Sequence, residues 1–181
     1  MSVLVAYASK YGSTEEIAER IAGRLRDLGQ NALAVPAEAA GDPAGYDAII
    51  VGSAVYLGSW RKEATEFVRH NRETLSARPV WLFSSGPLGT ESTDVNGKDV
   101  QAEARPKEID EFEREISPRG SHVFFGVLDP DKLAGRDRLM RRLPPVREIL
   151  PEGDFRHWDE VDAWATSIAD ELARTTPSPS A

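Results

Sequence analysis

Two apolar patterns alternate along this chain, short unbroken runs and stripes at helical spacing, and their alternation predicts the architecture. The run Val3-Leu4-Val5-Ala6-Tyr7 has no polar interruption, as expected of a central strand in a parallel sheet covered on both faces. After it, Ile17, Ala18, Ile21, Ala22, Leu25 and Leu28 recur at intervals that predict an amphipathic helix. Ser13 with Glu16 reads as a capping box at its start, and Gly29 ends it. Further strands are expected at Asn31 to Val35, Asp47 to Val51, Pro79 to Phe83 and Val123 to Val127. Helices are expected from about Arg61 to Leu75, from about Pro106 to Ile116, and over Val161, Trp164, Ile168, Ala169 and Leu172. The stretch after Pro87 through Lys98 lacks periodicity and reads as an irregular surface loop. Thr175 to Ala181, rich in Pro and Ser, reads as a disordered tail, leaving one domain over residues 1–174.

Strands alternating with helices imply an α/β fold in which an open parallel sheet is doubly wound, with helices on both faces and right-handed crossovers. Ligands of such sheets bind outside the carboxyl ends of the strands, where three loops of this chain converge. The first is Ser9-Lys10-Tyr11-Gly12-Ser13-Thr14, whose hydroxyls surround a glycine just before a helix. Gly12 permits a tight turn, and the helix offers unpaired N–H groups and its positive dipole end to a phosphate. Taken alone, the same hydroxyls are equally well explained as helix caps.

The second loop, Ser53-Ala54-Val55-Tyr56-Leu57-Gly58-Ser59-Trp60, places two aromatics after a buried strand, where Tyr56 and Trp60 either stack on a planar ring or cover the neighbouring helix. The third, Ser84-Ser85-Gly86-Pro87 with Gly89, offers backbone that can approach a heterocycle edge, or forms an ordinary turn.

Composition removes several classes. The chain has 181 residues, 40% of them hydrophobic, enough for one buried core. With no cysteine there are no disulfides, thiolate-held iron–sulfur clusters or cysteine nucleophiles, and the expected compartment is the cytoplasm. Met1-Ser2 leads directly into the first strand and no apolar run approaches membrane-spanning length, so neither export nor a transmembrane segment is expected. A formal net charge of −8 opposes general nucleic-acid binding. His70, His122 and His157 lack metal-ligand spacing, and no metal site is expected. No Ser–His–Asp set or carboxylate pair emerges either, which disfavours a hydrolase but not a protein whose cofactor carries the chemistry.

Together the three loops resemble the flavodoxin family, whose phosphate loop Thr/Ser-x-Thr-Gly-x-Thr is matched by Ser9, Gly12 and Thr14, with Tyr11 in place of the middle Thr. The resemblance covers nearly the whole chain. It implies a five-stranded sheet of order 2-1-3-4-5 and bound FMN. The phosphate would lie on Ser9 to Thr14, and the isoalloxazine between Ser53 to Trp60 and Ser84 to Gly89.

Before the last helix the chain carries an insertion, Leu128 to Phe155, with Leu133, Arg136, Arg138, Leu139, Met140, Arg141, Arg142 and Leu143. This resembles the menaquinone-dependent protoporphyrinogen dehydrogenase branch, although Tyr56-Leu57-Gly58 stands where that branch has Arg-Tyr-Gly. The branch implies an oxidoreductase passing electrons from a reduced substrate through the flavin to a quinone. Physically, Arg136, Arg138, Arg141 and Arg142 beside an apolar stripe suit an anionic substrate, peripheral contact with the inner face of a membrane, or a stripe docked on the domain with its arginines solvated. The alternatives to an enzyme are a plain electron carrier, which needs an exposed ring edge and an acidic docking patch, and a cofactor-free interaction module.

Overall fold

The computed structural model describes residues 1–89, 93, 97–140 and 151–175, except for the side chains of Arg136, Arg138 and Met140. The strands are β1 (Ser2–Ala8), β2 (Asn31–Pro36), β3 (Ala48–Tyr56), β4 (Ser59–Trp60), β5 (Val80–Ser85), β6 (Gly120–Phe124), β7 (Val127–Leu128) and β8 (Gly153–Asp154). The helices are α1 (Ser13–Asp27), α2 (Lys62–His70), α3 (Arg72–Ser76), α4 (Val100–Glu103), α5 (Glu108–Ile116), α6 (Gly135–Met140) and α7 (Trp158–Thr175).

The main sheet runs β2-β1-β3-β5-β6, all parallel, with β4 folded back antiparallel on β3. Counting its parallel strands alone, this is the expected order 2-1-3-4-5. Strand alternation sends Val3, Val5 and Tyr7 to the face covered by α1 and α7, and Leu4, Ala6 and Ala8 to the face covered by α2, α3 and α5. Both faces are therefore dry, which is why β1 is apolar from Val3 through Ala6. Each fully buried Ile, Leu or Phe in these layers contributes about 1.5–3 kcal/mol.

Gly52 pairs with Phe83 across β3 and β5, and a Cβ on it would lie 1.9 Å from the Phe83 ring. The missing side chain leaves room for that ring over β3, and the ring also packs on Phe124 and Trp164 of the same face.

Several boundaries differ from those expected. β3 and β5 run on through Ser53 to Tyr56 and through Ser84 and Ser85, because Ser53 pairs with Ser84 and Ala54 with Ser85 in the ladder. Strand β6 lies three residues earlier than the Val123 to Val127 run. Its polar start sits at the sheet edge, while Phe125 and Gly126 leave the ladder. The helix expected over Arg61 to Leu75 is broken at Asn71, whose side-chain amide donates to the Phe67 carbonyl. Thr175 belongs to α7, its Oγ1 donating to the Glu171 carbonyl, and the rest of the expected tail lies outside the described residues.

The insertion is pinched at its base by the β7–β8 ribbon, pairing Val127 with Asp154 and Leu128 with Gly153. Within it, a single turn over Pro130–Lys132 is capped by the Asp129 side chain, and α6 follows. No described helix is long and apolar enough to cross a membrane.

Candidate functional site

The carboxyl ends of β1, β3 and β5 bring the three loops to one edge of the sheet. In the first loop Gly12 adopts φ +91°, a left-handed conformation that suits glycine, and its N–H donates to Ser9 Oγ at 3.1 Å. Gly12 is the N-cap of α1, and its carbonyl accepts the Glu16 N–H at 3.0 Å. Having no side chain, it leaves the first N–H groups of the helix without a capping acceptor.

The capping box read from Ser13 and Glu16 does not form. Ser13 is the first helical residue, and Glu16 reaches instead to Arg156, at 2.7 Å, and Lys132, at 3.7 Å. Two cations outcompete the return bond to the backbone.

Thr14 is fully buried, yet its hydroxyl has no partner, and Ser13 Oγ is likewise buried and unpartnered. A buried hydroxyl without a hydrogen bond costs about 1–3 kcal/mol. A glycine turn, a free helix N-terminus and two orphaned hydroxyls form a cradle whose missing component is a hydrogen-bond acceptor. An anion of phosphate size supplies what all three lack.

In the second loop, β3 and β4 form a tight hairpin in which Leu57 (φ +50°) and Gly58 (φ +73°) occupy the two turn positions. Left-handed backbone at both is the turn geometry that matches strand twist. It presents Leu57 fully to solvent with Tyr56 beside it, 39% exposed.

The two aromatics of this loop have separate fates. The Trp60 ring is buried against Phe112, its indole N–H donates to Ser84 Oγ at 2.8 Å, and its backbone N–H donates to Glu108 Oε2. It therefore braces the second loop to the third from below. Glu108 is consequently buried. Ser53 is also internal, its Oγ accepting the Arg61 N–H and donating to the Ala54 carbonyl.

The third loop is held by Gly86 N–H donating to the Phe124 carbonyl and Gly126 N–H donating to the Pro87 carbonyl. A Cβ on Gly86 would lie 3.0 Å from Val55, so this glycine lets the second and third loops close together. Gly89 has φ +117°.

Lys10 ties the first two loops, its ammonium 4.9 Å from the Tyr56 ring centre and 5.1 Å from that of Tyr11. Sequence reasoning missed the group that completes this cluster. Asp137 of α6 accepts hydrogen bonds from Lys10 Nζ at 2.5 Å and from Tyr11 Oη at 2.6 Å. These two bonds hold its carboxyl below the usual carboxylate range, and the same contact raises the Lys10 ammonium.

The other residue that sequence reasoning missed is Arg156, whose side chain is only 7% exposed. It bridges Glu16 and Asp154 while stacking on Trp158. Of the insertion's arginines, Arg141 and Arg142 lie outside the described residues, as do the side chains of Arg136 and Arg138. His122 pairs with Glu160 and His70 contacts the Glu66 carbonyl; no metal-binding group occurs among the described residues.

Burial pushes Tyr56 up to about 12, and burial with a hydrogen bond to Glu15 pushes Tyr7 up to about 12. An acid whose folded-state value is raised contributes stability that is complete below its ordinary value near 10 and is lost as pH rises toward 12. In an alkaline absorbance titration, Tyr56→Phe is expected to remove phenolate signal near pH 12. Loss of signal near pH 10 instead would mean that the phenol is not held neutral.

The family model for the flavodoxin domain matches residues 4–145, most of the chain and all three loops. The chain belongs to the flavodoxin-domain family. Protoporphyrinogen IX dehydrogenase [quinone] of Escherichia coli K12 is 23% identical over 182 aligned positions, covering 93% of this chain and 95% of that protein. The family fold recurs in an archaeal flavodoxin, with TM-score 0.57 and 17% identity, covering 96% of this chain and 99% of the other. It recurs also in rubredoxin oxygen:oxidoreductase of Desulfovibrio gigas, with TM-score 0.60 and 14% identity over 96% of this chain. There the chain spans only 36% of the longer protein.

Proposed function

We propose that this flavodoxin-domain chain is an FMN-dependent oxidoreductase that oxidises a reduced organic substrate and delivers the electrons to a quinone. The observation that carries the cofactor half is the pair of buried, unpartnered hydroxyls of Ser13 and Thr14 beside the Gly12 turn. They suit the terminal phosphate of FMN and have no comparable use with riboflavin. Support for the substrate half comes from the E. coli relative, which aligns across the insertion as well as the sheet.

In this reading Ser9 to Thr14 hold the phosphate. Backbone of Gly86 to Gly89 lies at the ring edge, and Tyr56 with Leu57 shields one face. Trp60, Ser53, Ser84 and Ser85 support that surface from beneath. FMN held there would supply two-electron redox chemistry, for which the reduced substrate gives up two electrons and two protons. The protein's own work is to orient the ring, exclude water at the Tyr56 face and set the local charge. Each quinone reduced takes up two electrons and two protons.

Releasing and identifying the cofactor, then assaying the holoprotein with protoporphyrinogen and a menaquinone analogue, tests both halves. Release of FMN together with quinone-dependent oxidation is the expected result. Protein purified without flavin, and unable to take it up, overturns the cofactor half. FMN content without substrate oxidation favours an electron carrier, a reading that the fully exposed Leu57 at the hairpin tip also supports as a docking point.

We further propose peripheral contact with an anionic membrane surface, for which the candidate residues are Arg136, Arg138, Arg141 and Arg142. Their replacement by Gln is expected to weaken binding to anionic liposomes and blunt its salt dependence while leaving FMN content intact. A wild-type protein that ignores such liposomes at low salt removes that part alone.

A further inference from the structure

We propose that Lys132 is a phosphate-binding residue brought to the first loop by the insertion, so that the insertion forms part of the cofactor site. The inference rests on the FMN reading above and concerns a residue that lies far outside the loop motif. Lys132 Nζ lies 4.0 Å from where a Cβ on Gly12 would stand, directly over the glycine turn. The space into which Gly12 opens is thus bordered by this ammonium and by the Glu16 carboxylate, whose Oε1 lies 3.9 Å from the same point.

Its position is built from the chain upward. The β7–β8 ribbon closes the base of the insertion, and Phe155 N–H donates to the Gly126 carbonyl beside it. The Asp129 carboxylate then accepts the Asp131 N–H, and Lys132 N–H donates to the Asp129 carbonyl, which turns the chain back toward α1. A second tie, from Asp137 to Lys10 and Tyr11, anchors the insertion to the other side of the same loop. Lys132 therefore arrives over Gly12 between two fixed points.

Charge matching separates Lys132 from its present neighbour. Glu16 already has a close partner in the largely buried Arg156, at 2.7 Å, whereas its approach to Lys132 is 3.7 Å. Glu16 keeps its counter-ion when Lys132 turns to another anion. A doubly charged phosphate seated on the unpartnered Thr14 and Ser13 hydroxyls is a stronger attraction than a carboxylate already paired. The arrangement also offsets the repulsion that Glu15 and Glu16, both in the first turn of α1, exert on a phosphate.

The test titrates the 181-residue chain, stripped of flavin, with FMN and with riboflavin while following flavin fluorescence. Lys132→Gln is expected to weaken FMN binding by about fivefold to tenfold, flatten its dependence on salt and leave riboflavin binding unchanged. Lys132→Arg should restore most of the FMN affinity. Equal FMN affinity in wild type and K132Q overturns the proposal, as does an equal loss for both flavins, which would mark Lys132 as structural. If the wild-type chain binds FMN no better than riboflavin, the phosphate assignment fails. If it binds neither, the flavin reading fails with it.

Discussion

Gly12→Val is expected to lower FMN affinity more than a hundredfold while leaving a folded protein. The reasoning separates two effects of the added side chain. Among the described residues, and apart from its two chain neighbours, no atom lies closer than 3.9 Å to a Cβ at this position, so the substitution meets no hard clash there. The backbone, however, is left-handed at φ +91°, where an L-residue pays about 1–2 kcal/mol and a β-branched one more. Relief requires the peptide to rotate, which moves the Gly12 carbonyl off Glu16 N–H and turns the cradle's N–H groups away from the phosphate. The branched side chain meanwhile fills the space above the turn. Gly12→Asn makes the control, because Asn tolerates left-handed backbone, and its loss should be clearly smaller. Fluorescence titration with far-UV circular dichroism reads both quantities. Unchanged FMN affinity in folded G12V would refute the placement of the phosphate.

The sheet and its winding were legible in the sequence because burial on both faces imposes unbroken apolar runs, as at Val3 to Tyr7. The glycine turn before α1 was legible for a related reason, since the turn, the hydroxyls and the following helix are contiguous in the chain. The ends of β3, β5 and β6 were less so. Ser53, Ser84 and Ser85 look like loop residues until they are paired with one another across the ladder. Phe125 and Val127 extend an apolar run beyond the point where the edge strand stops. A strand at a sheet edge is half-solvated, and hydropathy there is a poor guide to its register.

The fate of Trp60 was beyond the reach of local pattern. An aromatic after a buried strand suits a ligand face or a core equally, and only Phe112 and Ser84, distant in sequence, decide for the core. Tyr56, four residues earlier, is left as the exposed ring. Asp137 shows the same limit more sharply. It stands between two arginines in a segment that draws attention for its positive charge, yet its contacts are to Lys10 and Tyr11, more than a hundred residues away. The insertion thus meets the loop before α1 through a carboxylate and a lysine that no spacing rule singles out.

Thr14→Val is expected to make the flavin-free protein more stable and the FMN complex weaker. Valine keeps the branched shape of threonine, so packing around this fully buried position is preserved, and its helix propensity is similar. What disappears is a buried hydroxyl with no partner, relieving a penalty of about 1–3 kcal/mol in the unliganded fold. For a chain of this size each kcal/mol corresponds to about 2–4 °C in melting temperature, so a rise of several degrees should be measurable. With FMN the sign reverses, because a hydrogen bond to a charged phosphate is worth about 1.5–3 kcal/mol, and its loss should cost about tenfold to a hundredfold in affinity. Ser9→Ala provides the contrast, since Ser9 Oγ already accepts the Gly12 N–H and its removal should destabilise the unliganded loop. A T14V protein that melts lower without flavin and binds FMN as tightly as wild type would show that the threonine serves the fold and not the phosphate.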